Sequence, residues 1–270
     1  MSNASKAKRI FIVSHPQSRS TALFMSLCQY PNTVGLLEPF ADSYFLGPHC
    51  KSTAMKEIVG YDKGESFIYW KQRCLESNSD VLIVKDHALF LEEVFDFIIE
   101  HFILVFIVRS PYLSFTSNMF ADSDLSQDDF IKVYESFNIN MAECYKKFLD
   151  FLEKAHTSSQ YKPLLLSATE LVEKPRATIE KVCKWADLQF TESLLQWDYC
   201  RRSSVNIKLP DLTVFFLEHR VFFKNCFDSK GLKSGNERKV EEIEFPPYFQ
   251  KALVTSLQCY DDIMLIGHSS

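Results

Sequence analysis

Short continuous apolar runs, each closed off by polar residues, recur along this chain at Ile10–Val13, Val34–Leu37, Val81–Val84, Ile103–Val108 and Leu164–Leu166. Runs of that length with no polar alternation predict strands buried on both faces, as in a parallel sheet. The intervening segments carry helical spacing instead. Leu89 to Ile99 is apolar at 89, 90, 91, 94, 95, 98 and 99, and a longer helical pattern extends from about Asp128 to Glu153. Strands alternating with helices predict right-handed crossovers and a three-layer α/β architecture, a parallel sheet flanked by helices. After Leu171 the pattern is mostly helical, at Arg176–Ala186, Glu192–Trp197, Val214–Phe223 and from about Pro247 to Leu265, which gives a helical C-terminal third. The polar stretch Asp228 to Glu242 is the best candidate for a mobile loop. Without repeats or a linker, residues 1–270 read as a single domain, with residues 1–8 as a disordered tail.

Parallel sheets of this kind bind ligands at the carboxyl ends of their strands. Ser14–Thr21, Lys85–His87 and Arg109–Ser110 each follow a strand directly, so all three are expected to line one edge. The first is the most informative. Its apolar run breaks at His15-Pro16 and enters a hydroxyl-rich loop, Ser18-Arg19-Ser20-Thr21. Ala22, Leu23, Met25, Leu27 and Cys28 follow in helical spacing, with Ser20 or Thr21 placed to cap the helix. Strand, hydroxyl loop and helix start together gather free backbone N–H groups that hold a phosphate or sulfate, and Arg19 adds a fixed positive charge. The same pattern also fits an ordinary strand-to-helix turn with a good N-cap. It is not a Walker A loop, because the chain's seven glycines lie elsewhere and none precedes Lys-Ser or Lys-Thr. A nucleotide triphosphatase is disfavoured.

Composition narrows the choice further. A net charge of −5 excludes a general nucleic-acid binder, whose affinity needs a basic surface, so any anion site must be local. The eight cysteines are scattered, with no CxxC pair and no zinc spacing, and are expected to be reduced thiols in a cytoplasmic compartment. Met1 to Arg9 has no apolar core of a signal peptide, and the longest strongly apolar run, Phe102 to Val108, is too short to span a bilayer. A soluble protein without a membrane span is expected.

Three strand-end groups then stand together, and they carry a resemblance. His15-Pro16-Gln17-Ser18-Arg19-Ser20-Thr21, Lys85-Asp86-His87, and Arg109 followed eight residues later by Ser117 resemble the motifs of sulfotransferases that use 3′-phosphoadenosine-5′-phosphosulfate (PAPS). The likeness is greatest to carbohydrate-type and bacterial members. Leu36-Leu37-Glu38-Pro39-Phe40 is similar to the family's Glu-Pro segment, in which an acidic residue faces the acceptor. Thr169-Glu170-Leu171-Val172-Glu173-Lys174-Pro175-Arg176-Ala177-Thr178-Ile179 is similar to a structural run of the family, and Lys233-Ser234-Gly235 falls where a C-terminal nucleotide-binding loop is expected. The likeness spans about Arg9 to Tyr260.

The resemblance implies a P-loop-like sulfotransferase fold with PAPS as co-substrate, adenosine 3′,5′-bisphosphate as product, and no metal. It implies that Gln17, Ser18, Arg19, Ser20 and Thr21 wrap the 5′-phosphosulfate, that Arg109 and Ser117 hold the 3′-phosphate, and that Lys233, Ser234 and Gly235 contact the nucleotide. His87 is the implied general base, Lys85 a stabiliser of the leaving phosphate, and Glu38 a rival base or an acceptor-orienting group. The acceptor would be a hydroxyl or amine of a small molecule, carbohydrate or peptide. One departure stands out: Gln17 occupies a position where the family carries Lys or Arg, so Arg19 or Lys85 must supply that charge, or turnover is weak. A nucleotide-binding or interaction protein without turnover, a small-molecule kinase with a degenerate loop, and a purely structural α/β domain remain as alternatives.

Overall fold

The computed structural model describes residues 7–48, 50, 64–119, 140–197, 206–218, 224–227, 229–237, 245 and 247–268. Six strands, β1 (Lys8–Ser14), β2 (Thr33–Leu37), β3 (Val81–His87), β4 (Ile103–Val108), β5 (Leu164–Ser167) and β6 (Asn206–Lys208), form one sheet in the order β5-β4-β1-β3-β2-β6. All five pairings are parallel. The helices are α1 (Ser20–Leu27), α2 (Pro39–Leu46), α3 (Phe67–Leu75), α4 (Phe95–His101), α5 (Pro111–Met119), α6 (Met141–Ser158), α7 (Ala168–Glu173), α8 (Pro175–Trp185), α9 (Asp211–Glu218), α10 (Lys224–Phe227) and α11 (Pro247–His268).

Strand alternation sorts the core into two clusters, one on each side of the sheet. Ile10, Ile12, Leu37, Ile83, Val105, Ile107 and Leu166 face one side and meet α1, α2 and α8 through Leu23, Phe24, Phe45, Ile179 and Val182. Phe11, Val13, Leu36, Leu82, Val84, Leu104 and Phe106 face the other, against α3, α4, α6 and α11 through Trp70, Ile98, Phe148, Phe151 and Ile263. Layering of this kind is what continuous apolar strands require. Gly35 in β2 serves it locally, since a Cβ there would lie 2.6 Å from Cys28 Sγ and 2.8 Å from the Phe24 ring. That clearance lets α1 sit down on the sheet.

Five strands fall where the apolar runs predict them. The sixth, β6, is a three-residue edge strand whose residues are no more than partly buried, so it has no hydrophobic run to announce it. The helix expected over Leu89 to Ile99 is instead two 3₁₀ turns, Ala88–Phe90 and Glu92–Val94, leading into α4. Here Phe90 joins one core cluster while Ala88, Leu91 and Val94 join the other. A single helical stripe cannot serve both sides of the sheet end. The pattern beginning near Asp128 is helical from Met141, capped by the Asn140 side chain on the Ala142 N–H at 2.9 Å, and it runs on to Ser158; residues 120–139 lie outside the described residues. Glu192–Trp197 is a 3₁₀ turn, Glu192–Leu195, with Trp197 beyond it, and α9 begins at Asp211, three residues before the expected start. Residues 219–223 and 238–242 lie outside the described residues.

Within the loop expected over Asp228 to Glu242, the described part is tied down by backbone hydrogen bonds. Trp197 N–H donates to Lys230 O at 3.2 Å, Leu232 N–H to Leu195 O at 2.9 Å and Gly235 N–H to Val172 O at 3.0 Å. No described cysteine is in a disulfide. No helix among the described residues is long and apolar enough to cross a membrane.

Candidate functional site

The carboxyl ends of β1, β3 and β4 lie side by side, because β1 is the strand from which the sheet order runs both ways. Register then places the polar residues. Ser14 is opposite His87 and Ile12 opposite Lys85 across β1 and β3, and Leu37 of β2 is opposite Lys85. Lys85 and His87 are in phase with Ile83, so both point to the α1 side, and Asp86 points to the other. Polar residues at strand ends on one face thus become neighbours without any insertion.

Glu38, the residue after β2, has φ 57 and caps α2 with its backbone. A left-handed glutamate costs on the order of 1 kcal/mol or more, and here the turn directs its carboxylate onto β3. Glu38 Oε1 accepts a hydrogen bond from Lys85 Nζ and lies 3.1 Å from His87 Nε2. Lys85 Nζ is also 3.1 Å from His87 Nε2. Lys85 is 1% exposed, a position an ammonium tolerates only when paired. Burial alone would push the Glu38 carboxyl up; Lys85 and His87 outweigh it and hold it well below the usual carboxylate range.

Ser14 settles which His87 nitrogen carries the proton. Its hydroxyl donates to Asp86 O at 3.0 Å, and a hydroxyl has one proton to give. Towards His87 Nδ1, 2.9 Å away, it must accept. That arrangement places the hydrogen on Nδ1 and leaves the Nε2 lone pair to the Lys85 ammonium, 3.1 Å away. Burial, followed by the nearby Lys85, lowers the His87 pKa from its ordinary value, so the ring is neutral at neutral pH.

Asp86, the middle residue of the Lys-Asp-His run, organises the other face. Its carboxylate accepts from Phe40 N–H at 2.7 Å, Ala41 N–H at 3.1 Å and its neighbour His87 N–H at 2.8 Å. It thus closes the start of α2 in place of an N-cap side chain and couples Glu38 to β3. Burial and then the Glu38 charge push its carboxyl up to about 7. Asp42, one turn into α2, accepts from Glu65 N–H and Leu212 N–H and holds α9 against α2.

The loop after β1 curls through two left-handed residues, Gln17 at φ 60 and Arg19 at φ 63. The expected side-chain cap from Ser20 or Thr21 does not form: Arg19 is the N-cap residue, with no side-chain cap bond, and Ser20 is already the first residue of the helix. Ser20 is buried and Thr21 partly buried. Among the described residues, no acceptor meets the N–H groups of Ser18, Arg19, Ser20 or Thr21, and the buried Ser18 Oγ also has no partner. A curled loop with free N–H groups at a helix start has the geometry that can receive an anion.

Arg109, the residue after β4, closes this loop from beside it. Its Nη1 donates to Gln17 O at 3.1 Å and to Ser117 Oγ, one helix away on α5, at 2.7 Å. Its Nη2 donates to Glu237 Oε1 at 2.6 Å, and Arg19 Nη2 donates to that same oxygen at 2.8 Å. Tyr145 on α6 donates to Arg109 O at 2.7 Å. His15 fixes the backbone: Arg109 N–H donates to its Nε2 at 3.1 Å, its Nδ1 is 2.9 Å from Pro16 O, and its ring packs 4.3 Å from that of Tyr145. The acceptor role of Nε2 again requires the neutral ring, and burial pushes the His15 pKa down to about 3.

That burial has a pH signature. Between about pH 6.5 and 3 the unfolded chain binds a proton at His15 that the folded chain does not, so this residue withdraws stability as pH falls. Asp42 and Asp86, raised to about 6 and about 7, act in the opposite sense up to those values. The net curve mixes these with other shifted groups, among them Glu38 and His87, but a difference isolates His15. His15→Asn is expected to be less stable than wild type at pH 7, and the gap should narrow by up to about 1.4 kcal/mol per pH unit on acidification below 6.5. Urea denaturation at pH 7, 6, 5 and 4 measures it, and a gap independent of pH would mean that His15 is not held neutral.

Of the residues singled out in the sequence, Glu38, Lys85 and His87 form one group, and Gln17 to Thr21 with Arg109 and Ser117 form a second beside it. Lys233 and Ser234 are exposed, Ser234 Oγ donates to Glu173 O at 2.8 Å, and Gly235 has open space where a Cβ would lie. It is Glu237, two residues on, that reaches the arginines. Glu237 has no sequence signal at all, while Ser14 and Asp86 lie inside or against the motifs without a pattern to mark them. Among the described residues, no group of His, Cys, Asp and Glu could hold a metal ion.

No family model and no curated protein matches the chain. Solved structures do. The sulfotransferase domain of the olefin synthase of Synechococcus PCC 7002 superposes with a TM-score of 0.55 at 17% identity, covering 96% of this chain and 97% of that one. The chain has the sulfotransferase fold. Mouse sulfotransferase SULT7A1, whose structure is complexed with PAP, matches with a TM-score of 0.50 at 12% identity, over 97% of this chain and 89% of that one. At such identities the sulfotransferase fold is what is shared, and the chemistry must be argued from the residues themselves.

Proposed function

We propose that this protein is a sulfotransferase that moves a sulfuryl group from PAPS to a hydroxyl or amine of a small-molecule, carbohydrate or peptide acceptor. The observation that carries the reading is the convergence of Arg19 and Arg109 on one anionic oxygen, beside a loop whose N–H groups and Ser18 hydroxyl have no partner. Such a site is built for an anion with several oxygens, and it opens one strand away from a neutral histidine. A ligand with phosphate groups at two ends of a nucleoside fits that layout: the Gln17–Thr21 loop and the start of α1 at the 5′ end, Arg109 and Ser117 at the 3′ end. The PAP held by the mouse neighbour supports the same choice.

PAPS supplies a sulfuryl group on a phosphate leaving group, and the demands on the protein are in-line positioning and neutralisation of charge. His87 Nε2 takes the acceptor proton. The imidazolium then has Glu38 Oε1 at 3.1 Å as counter-ion, the role a buried carboxylate plays beside a catalytic histidine. Glu38 is the poorer base of the two because its paired carboxylate binds protons weakly. Lys85 bridges Glu38 and His87 and is the cation nearest the base. With glutamine at position 17, Lys85 and Arg19 are the charges available to the leaving phosphate.

A thermal shift with adenosine 3′,5′-bisphosphate against ATP tests the reading. At a hundredfold excess over its dissociation constant, the bisphosphate should add about 2.7 kcal/mol of stability and raise Tm by several degrees, while ATP, lacking a 3′-phosphate, should do little. A shift with ATP alone would indicate a kinase, and no shift with either would remove nucleotide binding.

A further inference from the structure

Glu237 occupies the place proposed for a phosphate, between Arg19 and Arg109. Its side chain is 6% exposed and a single oxygen, Oε1, takes hydrogen bonds from both Arg19 Nη2 and Arg109 Nη2. The pairing is incomplete on both sides. Glu237 Oε2 and Arg109 Nε are buried and have no partner. A guanidinium satisfied by a carboxylate normally uses two nitrogens on two oxygens; here two guanidiniums share one oxygen and leave one donor and one acceptor idle. The carboxylate therefore fits the two arginines imperfectly, with an unused oxygen that does not reach the unused nitrogen. A phosphate, with three terminal oxygens and a larger charge, would meet Arg19, both idle and used nitrogens of Arg109, and the Ser117 hydroxyl together.

Glu237 also sits on a strap rather than on the sheet. The backbone from Leu232 to Gly235 is hydrogen-bonded to Leu195 and Val172, and Ser234 Oγ to Glu173, all away from the β1 and β4 ends. Glu237 lies beyond the last of these ties and enters the site from outside the α/β core. Its contact with Arg109 spans 128 residues and that with Arg19 spans 218, so the carboxylate reaches both arginines from a distant part of the chain. Without it, Arg19 and Arg109 would lie close together as unscreened like charges, and Arg109 is already lowered by burial and by Arg19.

We propose that Glu237 is a built-in competitor: its carboxylate closes the two-arginine anion site, and a phosphate dianion of the bound nucleotide displaces it. The closed form offsets one of the two positive charges and covers both arginines against small anions. The open form frees Arg19 and Arg109 for the ligand. Any ligand of this site then binds with its intrinsic affinity reduced by the fraction of molecules that are open.

The nucleotide part of this inference rests on the proposed PAPS reading, so the test separates the two. Glu237→Ala and the isosteric Glu237→Gln are titrated calorimetrically with adenosine 3′,5′-bisphosphate, adenosine 5′-phosphate and inorganic phosphate, with Tm confirming that each is folded. For a site that is closed about ten to one, both variants should bind the bisphosphate roughly tenfold more tightly than wild type. Adenosine 5′-phosphate, which meets the carboxylate only at Arg19, should gain less than the bisphosphate does. Inorganic phosphate should bind the variants measurably and wild type at least tenfold more weakly. Gain of phosphate binding without any bisphosphate binding would keep the competitor and remove PAPS as the co-substrate. Bisphosphate binding that is equal or weaker in both variants, with no gain for phosphate, would overturn the competitor and leave the PAPS reading intact.

Discussion

His87→Ala is expected to lower sulfuryl transfer by about 10²–10⁴, the usual loss for a general base, while adenosine 3′,5′-bisphosphate binding stays within about twofold. The separation follows from geometry. His87 is held by Ser14 and meets Lys85 and Glu38, whereas the proposed anion site is made by Arg109, Ser117 and the loop after β1. Glu38→Gln is the necessary partner experiment. It leaves the buried Lys85 ammonium without its anion, so it should cost stability as well as turnover, and a denaturation curve is needed beside the rate. The pH profile distinguishes the two groups further. Because burial and Lys85 lower the His87 pKa, the acid limb of kcat/KM should fall below pH 6.5, and it should vanish from the residual activity of His87→Ala. Should His87→Ala remain active while Glu38→Gln is folded and dead, the proton goes to Glu38 instead.

The sheet was legible because burial on both faces leaves continuous apolar runs, and five strands have them. β6 was not, because an edge strand with Asn206, Ile207 and Lys208 need only pair with β2. The break of the Leu89–Ile99 pattern into 3₁₀ turns was also hidden: periodicity counts apolar residues but does not say which of the two core layers each will enter. In the site, residues that follow strands were readable, since a strand end fixes position within one or two residues. That brought out Arg109 and also Lys85 and His87, which prove to be among the last residues of β3 itself rather than residues after it, while Glu38 came only from the resemblance of its Glu-Pro segment. Asp86 stood within the motif, but its task, accepting from Phe40 and Ala41 at the start of α2, depends on β2 lying beside β3. Ser14 became informative only once register set it opposite His87. Glu237 could not have been found, because a contact across 218 residues leaves no spacing to read.

Arg109→Ala is expected to weaken adenosine 3′,5′-bisphosphate about tenfold to a hundredfold, as loss of a charge-assisted contact to phosphate is worth about 1.5–3 kcal/mol. Adenosine 5′-phosphate should lose far less, because the 5′ end is assigned to the N–H groups of the loop. A part of the effect will be shared. Arg109 Nη1 also donates to Gln17 O, and cutting that bond loosens a loop already carrying two left-handed residues. Arg109→Lys separates the two contributions. It keeps the charge but cannot reach Gln17, Ser117 and the 3′ end at once, since an ammonium lacks the planar fork, so its bisphosphate affinity should fall between wild type and Arg109→Ala. Ser117→Ala, which removes one neutral hydroxyl, should cost only about 0.5–1.5 kcal/mol. Calorimetry on the three variants with both nucleotides gives the set. Equal losses for the two ligands in Arg109→Ala would make Arg109 a brace for the loop and take the 3′-phosphate away from it; a selective loss, graded from Ser117→Ala through Arg109→Lys to Arg109→Ala, is what a phosphate held jointly by the end of β4 and the first turns of α5 requires.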